Sequence, residues 1–287
     1  MTFAEFASSH GLVIRYLESM KITRCPTITS PAKKNGAYLF DGVWGWVQNW
    51  ASMLEPVLWK DASVTRPEDI AAMNKRMAAA RKSQAKERIE MNRKAATKAA
   101  WILSQCSFEK HAYLDSKGFP EMTGLVYHTG ENNLLIFPMR IGNELVGCQL
   151  IDREGGKKFL FGQRCNGAEF IIGTSGIEIY CEGMATGLSI RTVMAALKAR
   201  CRVHVCFSAA NMQAMAKSRE SGFVVADNDV SGTGERAAIA TGLVYFMPPT
   251  IGQDFNDYHK EVGTFAASQA IRFFELKALQ DLKALHA

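Results

Sequence analysis

Three acidic groupings in the last third of this sequence sit where apolar segments stop. They are Ile179-Tyr180-Cys181-Glu182-Gly183, then Val224-Val225-Ala226-Asp227-Asn228-Asp229-Val230-Ser231-Gly232, then Gly252-Gln253-Asp254-Phe255-Asn256-Asp257. Carboxylates gathered in one place repel one another unless a cation lies between them. Hard carboxylate oxygens suit Mg2+ or Mn2+, and such ions bridge to phosphate oxygens. The chemistry these residues point to is metal-assisted reaction at phosphate. Asp and Asn at strand ends also make turns and caps, and a single grouping reads equally well that way. Three in succession favour a site.

The elements that must position these acids are legible around them. After Gly176, apolar runs at Ile177–Cys181, Val203–Phe207, Phe223–Ala226 and Leu243–Phe246 alternate with helical stretches at Ala185–Lys198, Asn211–Ser221 and Gly234–Thr241. Apolar strands alternating with helices imply an α/β fold with a parallel sheet covered on both faces. Ligands of such sheets bind outside the carboxyl ends of the strands. Glu182 ends the first strand and Asp227 the third. Asp229 lies two residues on, where strand alternation or a tight turn returns it to the same side.

Upstream, residues 119–173 change to short strands and turns. Leu134–Met139 and Glu144–Ile151 flank the turn Gly142-Asn143, and Lys157–Phe161 follows Gly155-Gly156. The pattern is a small antiparallel sheet. Residues 66–118 open with Pro67, Glu68 and Asp69 in a helix-start pattern, and a helix runs through about Gln105. It is expected to be an exposed connecting helix. Residues 1–65 form a separate module, with helix-like spacing over Phe3–Met20 and a hairpin pairing Ala37–Phe40 with Trp44–Val47. Residues 174–263 hold the parallel sheet, and residues 264–287 form a closing amphipathic helix marked by Phe273, Leu276, Leu279, Leu282 and Leu285.

Composition narrows the function further. The chain has 287 residues, is 47% hydrophobic and carries a net charge of +6. The nine Lys and Arg residues between Lys75 and Lys98 meet only Glu87 and Glu90, so this segment alone accounts for the positive balance. Arg81, Lys82, Lys86 and Arg88 lie at its centre. A helix so charged suits a phosphate backbone, against the plainer reading of a solvated face. The seven cysteines include no Cys-x-x-Cys pair, so neither a disulfide framework nor a cysteine zinc ribbon is expected. No stretch approaches a membrane span, and Glu5 interrupts any signal-like start, so a soluble cytoplasmic protein is expected.

Glu-Gly behind a strand, followed by Asp-x-Asp-x-x-Gly behind a later one, resembles the Toprim domain shared by topoisomerases and primases. Glu182-Gly183-Met184-Ala185-Thr186-Gly187 is similar to the Glu-Gly-Tyr-Ala-Thr-Ala motif of primases from phages and conjugative plasmids, with Met184 and Gly187 departing from it. Ser208-Ala209-Ala210-Asn211 and the Gly252–Asp257 run are further matches. Phe137-Pro138-Met139-Arg140, Gly147–Ile151 and Gly156-Lys157-Lys158-Phe159 are similar to the segment that precedes Toprim in such proteins. The likeness covers about residues 100 to 262.

The resemblance implies a primase that makes short RNA primers on single-stranded DNA from ribonucleoside triphosphates in phage or plasmid replication. Glu182, Asp227 and Asp229 would be catalytic. Those three, with Asp254 and Asp257, would hold Mg2+ or Mn2+. Arg140, Lys157 and Lys158 would contact template or triphosphate. Relatives open with a zinc ribbon, which Arg24-Cys25-Pro26 and Gly36–Asp41 resemble. Only Cys25 and His10 are candidate ligands here, so a degenerate module without zinc is expected. Its Tyr38, Phe40, Trp44, Trp46 and Trp50 read as a small aromatic core, with stacking on single-stranded bases as the alternative. No Gly-x-x-x-x-Gly-Lys-[Ser/Thr] run is present, so a replicative helicase would be a separate partner. The alternatives are a metal-dependent Toprim nuclease and a DNA-binding replication accessory protein without catalysis.

Overall fold

The computed structural model describes residues 1–287 except 51, 54, 63–66, 131, 218, 220, 286 and 287. Within helices, side chains are described outside 67–70, 72–74, 76–77, 80 and 281–285; the expectations for Glu68, Asp69, Leu282 and Leu285 lie there. The chain divides into two compact units, Met1–Arg88 and Ile89–Ala287, the division falling inside the basic helix.

In the first unit, helix α1 (Phe3–Ser9) is opened by a reciprocal cap between Thr2 and Glu5. It stops far short of Met20, because Gly11 at φ 75° turns the chain out of the helix and Leu12 pairs with Thr27 instead. Strands β1 (Thr23–Cys25), β2 (Gly36–Phe40), β3 (Trp44–Asn49) and β4 (Val57–Lys60) form an antiparallel sheet in that order. Phe3, Phe6, Leu12, Tyr38, Val47 and Trp59 fill the core between helix and sheet. Tyr38 and Trp44 are buried, which removes both from any base-stacking surface. Cys25 is buried in the same core.

Helix α2 (Pro67–Ser104) carries the chain from the first unit into the second. Its last turns are not an exposed connector. Ala95 is buried, and Ala99 and Ile102 pack with Ile136 and Cys148. These belong to a sheet of β5 (Ser107–Lys110), β6 (Thr123–Thr129), β7 (Asn132–Ile141), β8 (Glu144–Ile151) and β9 (Lys157–Phe159), antiparallel throughout, with α3 (Ala112–Ser116) after β5. Side chains alternate across a strand. Ile136 and Cys148 therefore face α2, while Leu135, Phe137 and Ile151 join the large core on the opposite face.

That large core belongs to a second sheet of β10 (Phe170–Ile172), β11 (Ile177–Cys181), β12 (Cys201–Val205), β13 (Phe223–Val225) and β14 (Val244–Phe246). The order is β10-β12-β11-β13-β14, with β10 antiparallel and the other four parallel. Helices α4 (Met184–Ala196) and α7 (Phe255–Leu285) pack with Ile179, Val203 and Phe223 on one face. Helices α5 (Ala209–Ala216) and α6 (Thr233–Ile239) pack with Tyr180 and Val224 on the other. The expected α/β fold with a parallel sheet covered on both faces is present. Helix α7 contains a break at Gly263 (φ 79°, ψ 164°). On β12, His204 stacks on Tyr180 with centroids 4.6 Å apart, and its two ring nitrogens meet Glu169 and Glu178. No helix among the described residues is long and apolar enough to cross a membrane.

Candidate functional site

The acids assemble at the carboxyl edge of the parallel sheet. Glu182 follows β11 directly, and its carboxylate receives the backbone N–H of Ala209, the first residue of α5. Burial raises its pKa, and the charge of Asp229 raises it further. Asp227 follows β13 by two residues. Its Oδ1 is fully buried with no hydrogen-bond partner among the described residues. Burial, then Glu182 and Asp254, push its pKa up to about 7, against the pull of Lys157. Those same three charges are felt below the site, where burial and Cys206 hold the Cys181 thiol well up and Asp227, Glu182 and Asp254 add to the push.

Local structure explains why these residues meet. The middle residue of the Asp-Asn-Asp run turns away, and Asn228 Nδ2 donates to Pro248 O at 2.9 Å. Its backbone clasps the later loop, with Asn228 N–H to Gln253 O at 3.0 Å and Gly252 N–H to Asn228 O at 2.6 Å. This clasp delivers Asp254 beside Asp227. Asp229 Oδ2 accepts from Gly234 N–H at 2.8 Å and Oδ1 from Thr233 N–H at 3.2 Å, with the Ser231 hydroxyl also bonded to it. These bonds hold its pKa down to about 2. A side chain at Gly234 would strike the Asp227 carbonyl, its Cβ lying 2.3 Å from that oxygen. Glycine there lets α6 start against the acidic loop.

Asp257 is placed differently. Asp254 Oδ1 accepts the Asp257 N–H at 2.8 Å, a cap at the start of α7, and Asp257 Oδ1 lies 3.9 Å from Lys117 Nζ. Asn256 is wholly buried and donates to Lys117 O and Ser189 Oγ. The last acidic run thus sends Asp254 to the acids, and Asn256 and Asp257 to α4 and the end of α3.

Of the predicted cations, Lys157 reaches the acids: its charge lowers the pKa of both Glu182 and Asp227. Lys158, the next residue on β9, points to the opposite face and is exposed. Arg140 is exposed beside a bulge in β7, with Nη1 donating to Asn143 O at 2.9 Å. Arg81, Lys82, Lys86 and Arg88 are exposed on α2 within the first unit. Tyr113 on α3 has no motif around it that marks it in the sequence. It is buried, its hydroxyl has no partner among the described residues, and burial with the Asp254 charge pushes it up to about 12.

Residues 178–264 match the family model of the Toprim domain. This segment is a Toprim domain. Neither a curated protein nor a solved structure matches the chain. The Toprim domain is a metal-binding fold of primase-, nuclease- and topoisomerase-type enzymes, and Toprim domains generally bind Mg2+. The residues present fit such an ion. Among the described residues there is no group of three or more His, Cys, Asp or Glu side chains placed to hold a metal ion. Mg2+ does not need one, since it keeps several waters and takes one or two carboxylates beside substrate phosphates. An orphaned buried carboxylate oxygen with further acids around it is a donor set of that kind. Glu182, Asp227, Asp229 and Asp254 gather at the carboxyl edge of the sheet, and Lys157 reaches them from the preceding sheet.

Proposed function

We propose that this chain is a primase-type nucleotidyltransferase that joins ribonucleotides on a single-stranded DNA template. The observation that carries the reading is Asp227. Its ionised form is disfavoured by burial and by two neighbouring acids, at a cost on the order of 4 kcal/mol for a pKa moved from 3.8 to about 7. A divalent cation removes that cost, and polynucleotide chemistry supplies a reason for one to be there. Asp227, with Glu182, Asp229 and Asp254, would hold one or two Mg2+ or Mn2+ ions. When bound, such ions supply Lewis-acid activation of a 3′-hydroxyl and stabilise charge on a leaving pyrophosphate.

The remaining work falls to the chain itself. Glu182 has a raised pKa and a backbone donor fixing its orientation, which suits it to take a proton from an attacking hydroxyl. Lys157 would offset the charge of an incoming triphosphate. Exposed Arg140 and Lys158 would meet template or nucleotide farther out, and Arg81, Lys82, Lys86 and Arg88 would follow the DNA backbone without reading sequence. A replicative helicase would be a separate partner, and the cytoplasm is the compartment where these substrates occur.

The test is incubation with single-stranded DNA, labelled ribonucleotides and Mg2+ or Mn2+, beside Glu182→Gln and Asp227→Asn. Labelled oligomers made by the wild type and lost in both variants support priming. Shortened DNA without incorporation contradicts it and assigns a Toprim nuclease. DNA binding with neither product assigns the accessory role.

A further inference from the structure

The strand that delivers Lys157 to the acids continues as Lys157-Lys158-Phe159-Leu160-Phe161. Lys157 and Phe159 share a face of β9, and Lys157 Nζ lies 4.0 Å from the position a Cβ would take on Gly183. Phe159 is 42% exposed and stands edge-on to Phe207, with centroids 6.2 Å apart and ring planes at 89°. Phe207 is itself tied to the site, because its N–H donates to Glu182 O at 2.9 Å. It holds φ at 66°, a left-handed conformation that a bulky residue rarely adopts. Backbone strain of this sort persists where surrounding structure over-determines it, and functional sites are where it gathers.

Phe161 is 91% exposed on a turn that is fixed at both ends. Gln163 N–H donates to Leu160 O at 3.2 Å, and Gln163 Oε1 accepts from Leu160 N–H and Cys148 N–H. Gly162 at φ 78° makes the turn, and a side chain on it would meet Met91 Cβ at 2.9 Å. Leu160 packs instead towards Ile136 and Cys148, leaving Phe159 partly and Phe161 almost wholly exposed on either side of it. Phe159 beside Lys157 at the acidic edge, with the exposed Phe161 two residues on, combines stacking surface with positive charge. That combination suits the bases and phosphates of a single strand. A protein partner would use the rings but has no need of the adjoining lysine and carboxylates.

We infer that Phe159 and Phe161 form a stacking platform for the bases of single-stranded nucleic acid next to the acidic site, with Phe207 positioning Phe159. The inference rests on the reading of that site as one for polynucleotides and adds how the strand is held. The test compares binding of a fifteen-nucleotide dT strand with that of an abasic strand of equal length, which keeps the phosphates and lacks the bases. The wild type is expected to prefer dT by about tenfold or more. The double variant Phe159→Ala/Phe161→Ala should lose this preference and keep its affinity for the abasic strand. Phe161→Trp should keep the preference, and its fluorescence should be quenched by dT alone. Equal binding of both strands by the wild type, or unchanged preference in the double variant, overturns the platform, as does failure to bind dT at all. Glu182→Gln should retain the dT preference while losing product formation, so the platform and the reaction fail separately.

Discussion

The Asp229 carboxylate accepts the backbone N–H of Gly234 at 2.8 Å, so an acid of the Toprim run also caps the helix behind it. A side-chain cap of this sort contributes about 1 kcal/mol. Asp229→Ala should therefore lower the melting temperature as well as activity, whereas Asp229→Asn keeps an acceptor and should lose activity with a smaller drop. The pH dependence has a definite sign. The folded-state pKa, about 2, lies below the ordinary 3.8. The carboxylate's contribution is therefore complete above the ordinary value and fades as pH falls towards about 2. Melting curves of wild type and Asp229→Asn should converge across that window.

His204 lies between Glu169 and Glu178 inside the β12 face of the sheet. Burial disfavours charge on the ring, yet the two carboxylates outweigh it and raise the pKa above 6.5. A raised folded-state value stabilises fully below the unfolded pKa and ceases to do so as pH rises through the folded one. Removing the partner of a buried charge costs about 3 kcal/mol or more. His204→Gln should lose roughly that much in urea unfolding at mildly acidic pH. The gap to wild type should narrow at alkaline pH.

The basic helix makes a prediction about salt. Each phosphate neutralised on a single strand contributes a slope of about −0.7 to log affinity against log salt. Replacing Arg81, Lys82, Lys86 and Arg88 by glutamate should weaken binding of single-stranded DNA and make the slope shallower by up to about 3. Binding measured at several salt concentrations checks both. An unchanged slope removes the helix from the DNA contact.

Legibility in the sequence followed how local each determinant is. The parallel sheet is legible because apolar strands and helices alternate, and the position of Glu182 and Asp227 at its carboxyl edge is legible because both follow strands. The β12 boundary moved from Val203–Phe207 to Cys201–Val205 because pairing with β11 starts at Ile177 opposite Cys201. The conformation of Phe207 is likewise set by Glu182 O, a contact far away in sequence. Asp254 and Asp257 look equivalent in the chain. What separates them is the Asn228 clasp on one side and Lys117 on the other. Tyr113 gave no signal, since its nearness to Asp254 is created only by folding. The helix expected over Phe3–Met20 stops before Gly11, whose positive φ turns the chain away.

Calorimetric titration of Mg2+ or Mn2+ near neutral pH asks whether the Toprim acids hold a divalent cation through Asp227. The titration is repeated in buffers of different ionisation heat so that released protons are counted. With its pKa at about 7, Asp227 is partly protonated there, and a cation must displace that proton. Saturable binding with proton release is expected in the wild type. In Asp227→Asn the release should vanish and affinity should fall by at least about tenfold. Equal affinity and equal proton release in both proteins would contradict it.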